Sequence, residues 1–314
     1  MLKKLIFISV FSCCGIALSG QSSRPLPFLE VNPDVRTAAM GDAAMGGTQS
    51  MFLYTNPTAF FQNDGKFYTS YAFGLYPEIA GSRQNYHAIS AGYKIFNRHA
   101  LFAGFRYFSG LKVPRVGEDG IERKPVQPRD WAIDFAYAFN FSPHFSAYAG
   151  GAFIQSYNSK TAYTGSLTTG VYYHNSLQSF NNEKGSYSVG ISLNNLGGKV
   201  KYGKNGTESD LPASVAAGGS VSLPVNESHK LNAALTMRYF ILPSDAKAFT
   251  SGMGLEYEMF NIATLRTGYH WGNDNNYLTV GAGFNVKFVN IDAAYILARS
   301  KDFNLLRIGM NILF

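Results

Sequence analysis

From about residue 65 to the C-terminus, apolar and polar residues change places at every second position, in segments too long for an ordinary soluble sheet. In one such segment Tyr187, Val189, Ile191 and Leu193 share a face, and Ser188, Gly190, Ser192 and Asn194 share the other. In a second, Leu231, Ala233, Leu235, Met237 and Tyr239 oppose Asn232, Ala234, Thr236 and Arg238. In a third, Leu278, Val280, Ala282, Phe284 and Val286 oppose Tyr277, Thr279, Gly281, Gly283 and Asn285. A strand must repeat every two residues, so these segments read as strands, and their glycines argue against helix. About 14 are expected, many of ten residues or more, where soluble strands average 5–6 and a tilted membrane strand needs about 9–11. Length more than alternation selects an antiparallel transmembrane β-barrel over a soluble sandwich.

Composition agrees. Charged residues make up 15% of the 314, and aromatics another 15%, with 20 Tyr, 25 Phe and 32 Gly. Soluble domains carry about 25% charge. Mean hydropathy is −0.07, as expected where apolar residues occupy only alternate positions. The net charge of +7 forms no dense basic run, so nucleic acid is not an expected partner. Barrel rims meeting anionic lipid headgroups account for the excess.

The links also fit. Asn97–Arg98, Ser142–Pro143 and Phe260–Asn261 are very tight. The stretches 74–83, 111–128 and 197–210 are long. Outer-membrane barrels have short periplasmic turns and longer outer loops, which fixes the expected orientation. The stretch 175–184 breaks the pattern, being long on the expected periplasmic side. The last segment places Leu306, Ile308, Met310, Ile312 and Phe314 on one face and Arg307, Gly309 and Asn311 on the other. Phe314 is expected to turn its ring to lipid at the periplasmic interface, resembling the terminal aromatic read by the barrel-assembly machinery.

The opening "MLKKLIFISVFSCCGIALSGQ" has a basic start, an apolar stretch and small residues after it, the pattern of a secretory signal peptide, assigned to residues 1–20. Both cysteines, Cys13 and Cys14, lie within it. Phe11 stands two residues before Cys13, a poor fit to lipid attachment. No cysteine would remain in the mature chain, which excludes disulfides and thiolate metal sites. Residues 21–63 do not alternate and are rich in Ala, Gly and Met. They are assigned to a plug or hatch packed inside a barrel of residues 64–314.

Pro27-Phe28-Leu29, Pro33-Asp34-Val35-Arg36, Ala39-Met40-Gly41-Asp42 and Asn56-Pro57 occur in this order in that segment. With "RYFSGL" (Arg106–Leu111) and "PRDWAIDFAYAF" (Pro128–Phe139), the set resembles the PorV/PorQ outer-membrane proteins of type IX secretion, FadL-like barrels, and the PorV branch above all. The resemblance is strongest over residues 27–157. It departs at "TQSMFLYTNP", where the family carries an acidic residue and a Trp-Asn pair, and the chain is shorter than a typical PorV. It implies an accessory or shuttle barrel. Its expected partners are translocon or attachment-complex proteins and the C-terminal domains of cargo. The alternative is a FadL-like channel for small hydrophobic molecules, with the N-terminal segment as hatch.

Catalytic motifs are lacking. The six histidines are scattered without metal spacing, and no G-x-S-x-G occurs. "GMGLEY" and "GAGFNV" are strand glycines without the third glycine of a nucleotide loop. Neither an enzyme nor a cofactor is expected. Arg106, Asp134, Arg238, Arg266, Asp292 and Arg307 are charges within expected strands. They must face the lumen, because Arg on the lipid face costs about 2–4 kcal/mol at mid-membrane. They read as a salt-bridge network inside a plugged barrel, or alternatively as a polar solute path. Asp34 and Arg36 are expected to tie the plug to these wall charges, together with Met40, Gly41, Asp42, Asn56 and Pro57 as plug residues.

Overall fold

The computed structural model describes residues 24–45, 50–116, 120–177, 184–272, 276–299 and 304–314. The signal peptide assigned to 1–20 lies outside the described residues. The barrel strands are β1 (Phe67–Ile79), β2 (Ser82–Ile95), β3 (His99–Ser109), β6 (Arg129–Asn140), β7 (Phe145–Asn158), β8 (Lys160–Leu177) and β9 (Gly185–Gly197). They continue with β12 (Ser214–Asn226), β13 (His229–Phe240), β14 (Ala248–Met259), β15 (Ala263–Gly272), β16 (Tyr277–Val286), β17 (Val289–Ala298) and β18 (Leu305–Leu313). Two short hairpins lie in the links, β4 (Val113–Val116) with β5 (Glu122–Val126), and β10 (Lys199–Lys201) with β11 (Glu208–Asp210).

The 14 barrel strands pair antiparallel with their neighbours, and β1 closes on β18. Closure removes both sheet edges, as a bilayer requires of any sheet that crosses it. Phe73 is paired with Ile308 and Leu75 with Leu306 across the seam. Phe67 and Phe314 exchange backbone hydrogen bonds of 3.0 and 2.8 Å at its end. The Phe314 ring lies on the outer surface, stacked between Phe67 at 6.5 Å and Phe288 at 5.9 Å. An even strand number puts both ends of the barrel chain at one end of the cylinder. The turns at Asn97–Arg98, Ser142–Pro143 and Phe260–Asn261 lie at this same end, the turn end. The hairpins lie at the opposite, loop end.

Alternation sorts the wall as the sequence implies. Ile191 is 54% exposed and Ser192 3%; Ile308 is 46% exposed and Arg307 6%. The outward face is apolar and meets lipid. The inward face is mostly small or polar, with buried aromatics such as Tyr68, Tyr86, Phe102 and Tyr172 set among them.

Three links differ from expectation. The stretch 74–83 is mostly strand: β1 runs on past Gly74, which pairs with Arg307 and Tyr86, to Ile79. A register shift between Leu75 and Glu78 masks the alternation there. Ala80 (φ 49°) and Gly81 (φ 71°) close it as a two-residue turn, the left-handed pair that suits strand twist. The stretches 111–128 and 197–210 hold the two hairpins. The stretch 175–184 does not shift the strand count. β8 continues to Leu177 and β9 starts at Gly185, and 178–183 lie outside the described residues.

Candidate functional site

The N-terminal segment runs the length of the lumen. Arg24 lies at the loop end, donating to the Ala246 carbonyl at 3.1 Å and stacked over Phe240 at 4.1 Å. Leu26, Phe28 and Leu29 pack with Val200 and Leu211 of the β10–β11 link and with Ile154 of the wall. Asn63 lies at the turn end, where its carbonyl accepts from Lys94. Between these points, among the described residues, the chain makes one short α-helix, α1 (Val35–Ala38), and three 3-10 turns. Asp34 caps it, accepting from the Thr37 hydroxyl at 2.9 Å and from Ser50. A cap of this kind satisfies backbone N–H groups that the lumen would otherwise leave unpaired.

Arg36 points from α1 at the wall. Its Nε and Nη2 donate to the two oxygens of Glu256 at 2.7 and 2.5 Å. The same carboxylate accepts from Asn232 at 2.6 Å and from Arg266 Nε at 2.5 Å. Arg266 then reaches Asp292 at 2.6 Å. A Cβ at Gly283 would collide with the Asp292 carboxylate, so a glycine is needed for this bridge to pass. The result is a buried chain of alternating charge, Arg36–Glu256–Arg266–Asp292, in which each carboxylate has a cation beside it.

Sequence reasoning places Arg266 and Asp292 in the lumen but misses Glu256, the residue Arg36 contacts. The signal is present. Glu256 shares parity with Gly252 and Gly254 in "GMGLEY", whose glycines read as lumen-facing.

The other lumenal charges form separate groups. Arg106 pairs bidentately with Asp134 at 3.0 and 2.5 Å. Tyr54 of the segment donates to Asp134 at 3.2 Å and lies under the Arg106 guanidinium, 5.0 Å from it. Arg307 donates to the Asn32 carbonyl at 2.5 Å and lies 3.7 Å from Asp42. Asp42 also accepts from Tyr277. Arg238 has neither a hydrogen-bond nor an ion-pair partner among the described residues, and its Nε is buried.

Backbone contacts complete the seat. Gly41 (φ +70°) donates to Thr279 Oγ1 at 2.9 Å, and that hydroxyl donates to the Ala39 carbonyl at 2.8 Å. A Cβ on Gly41 would stand 2.5 Å from the Tyr269 carbonyl. Met40 packs as closely on Gly254 and Gly268. Small residues on both sides bring segment and wall into backbone contact, which larger side chains would prevent.

At the turn end the lumen is filled by aromatics. Asn56 caps the turn opened by Pro57, accepting from the Thr58 N–H at 3.1 Å. This turns Phe60 onto Phe52, Tyr68 and Phe102, with ring centroids 5.2, 5.1 and 5.9 Å away. Phe52 and Phe60 are fully buried.

A closed 14-stranded barrel with a threaded N-terminal segment can be compared with known proteins. The family model described as "Type IX secretion system protein PorV" matches residues 21–247. The chain belongs to the PorV family. It is therefore an outer-membrane component of type IX secretion. No curated protein matches it. Among solved structures, the Pseudomonas putida toluene transporter TodX is 13% identical, with a TM-score of 0.57 over 91% of this chain and 99% of that one. The Ralstonia pickettii toluene transporter TbuX is 14% identical, with a TM-score of 0.56 over 90% and 98%. A Pseudomonas aeruginosa FadL homologue is 10% identical, with a TM-score of 0.51 over 90% and 98%. At these identities the likeness shows a FadL-like fold and nothing finer.

Proposed function

We propose that this PorV-family barrel is an accessory or shuttle component that engages cargo C-terminal domains or translocon partners through its outer face. The reading rests on the filled lumen. The N-terminal segment is ion-paired to the wall through Arg36 and Glu256, and Phe52, Phe60, Tyr68 and Phe102 pack across the turn end. Such a barrel offers binding surface more readily than a path. The outer face supplies that surface: the β4–β5 hairpin exposes Val113, Val116 and Ile121 beside Arg115, Arg123 and Lys124.

The barrel-assembly machinery is proposed to act on the β18 terminus, with Phe314 as its signal. A second reading is favoured by the fold shared with TodX and TbuX, a channel for small hydrophobic molecules with the segment as hatch. It requires the aromatic packing around Phe60 to open.

The two are separated by affinity capture of the tagged protein from native outer membranes, with partners identified, alongside a variant in which 113–126 is replaced by a short Gly-Ser turn. Retention of secretion-system proteins by wild type, and their loss from the variant, is the expected result. Capture of no other protein by wild type, combined with uptake of a hydrocarbon in liposomes, overturns the first reading.

A further inference from the structure

Arg238 differs from the other lumenal arginines. Arg36, Arg106, Arg266 and Arg307 each face a carboxylate. Arg238 lies toward the loop end of β13 with its Nε buried and without a partner among the described residues. The Phe240 ring lies 6.0 Å from its guanidinium and is already covered by Arg24 at 4.1 Å. Arg238 lines a cavity of about 100 Å³ between the N-terminal segment and the β6–β9 wall.

The rest of the lining explains what such a cavity would take. Its two carboxylates are already engaged, Glu30 by Arg24 at 2.8 Å and Asp134 by Arg106 at 2.5 Å. The remaining polar side chains of the lining are neutral, among them Asn32 and Tyr54 from the segment, and Ser166, Thr168, Asn194 and Asn195 from the wall. These four wall residues cluster where the β8–β9 register shifts between Leu167 and Thr169. This bulge sets Asn195 at φ 54° and ties its N–H to Thr168 Oγ1 at 3.2 Å. Among the described residues, the lining therefore carries one positive charge without a carboxylate beside it, among hydroxyls and amides. A guanidinium matches a carboxylate through two parallel N–H bonds. The volume equals about three waters at roughly 30 Å³ each, enough for a carboxylate and the first few carbons of a chain whose remainder lies outside the cavity.

We propose that Arg238, with Asn194, Asn195 and Thr168, forms a lumenal binding site for a carboxylate group. The carboxylate belongs either to an alkyl chain or to a polypeptide C-terminus. The site does not depend on the secretion reading, because it is tested on the purified barrel alone.

The test is titration of the purified full chain in detergent with carboxyl-13C-labelled octanoate and with acetyl-Gly-Gly-Val. Octanamide and the peptide amide serve as uncharged controls. Saturable binding of at least one acid is expected, at least tenfold weaker for Arg238→Gln, partly restored in Arg238→Lys, and absent for the amides. Octanoate alone binding identifies the alkyl source; the peptide alone binding identifies the polypeptide source. Heat-modifiable migration of both variants establishes that the barrel is intact. Absence of saturable binding by wild type, equal binding by Arg238→Gln, or displacement by inorganic phosphate as strong as by acetate overturns the proposal.

Discussion

Removing the charge of Glu256 should unseat the N-terminal segment. Its carboxylate accepts two bonds from Arg36, one from Arg266 and one from Asn232, all within 2.7 Å. Glu256→Gln keeps the shape and removes the charge. Arg266 retains Asp292, but Arg36 loses the carboxylate it faces in a site only 7% exposed. Breaking a buried pair from one side costs about 3–5 kcal/mol. At about 1.4 kcal/mol per tenfold, the unseated population should rise by roughly a hundredfold to a few thousandfold. Ala38, fully buried in α1, provides a reporter as Ala38→Cys in a chain lacking Cys13 and Cys14. Maleimide labelling of this cysteine measures how often α1 leaves its seat. Labelling should be slow with Glu256 present and at least a hundredfold faster in Glu256→Gln. The double variant Arg36→Met, Glu256→Gln should label more slowly than Glu256→Gln alone, since no charge is then stranded. Equal labelling rates with and without the Glu256→Gln substitution, with both barrels intact, would falsify the view that this pair seats the segment.

Gly41→Ala should lower the unfolding midpoint, since the left-handed backbone costs a non-glycine residue about 1–2 kcal/mol and its Cβ would strike the Tyr269 carbonyl; a midpoint equal to wild type in a thermal melt would contradict the contact. Ile308→Arg should destabilise the folded barrel by about 2–4 kcal/mol in urea titrations in bilayers, because Ile308 faces lipid; no change would place that face in the lumen. Phe314→Asp should reduce the heat-modifiable fraction in outer membranes, because it removes the ring between Phe67 and Phe288; wild-type abundance would count against it. Phe60→Ala should raise single-channel conductance in planar bilayers by emptying the centre of the aromatic cluster at the turn end; a silent variant would show that the segment closes the lumen without it.

The wall is legible because its rule is local. Each position in "YSVGISLN" or "LLRIGMNILF" meets lipid or lumen according to parity alone, and parity needs no knowledge of the partner strand. Where a bulge shifts parity, as at Leu75–Glu78, the rule fails and a strand reads as a loop. The seat of the segment is less legible. Arg36 and Glu256 are 220 residues apart, and nothing near Arg36 in the sequence selects one lumenal carboxylate among several. Asp34 looks like a second wall anchor because charge is its visible property. Its described bonds to Thr37 and Ser50 reveal a helix cap, a role that "PDVRT" also encodes. The glycines of β14 and β15 read as small lumen residues, but what they admit, the backbone at Met40 and Gly41, is set by the fold.

The seam and the threaded segment together make the barrel sensitive to its own completeness. β18 closes the wall, and its inner face is also part of the segment's seat. Arg307 holds the Asn32 carbonyl, and Val35 packs where a side chain at Gly309 would stand. These residues of the N-terminal segment thus wait for the last strand. A polypeptide cut short before β18 would lack both the closing strand and one side of the cradle for α1. Its N-terminal segment would stay unseated, and one missing strand would leave two faults to mark the molecule as unfinished.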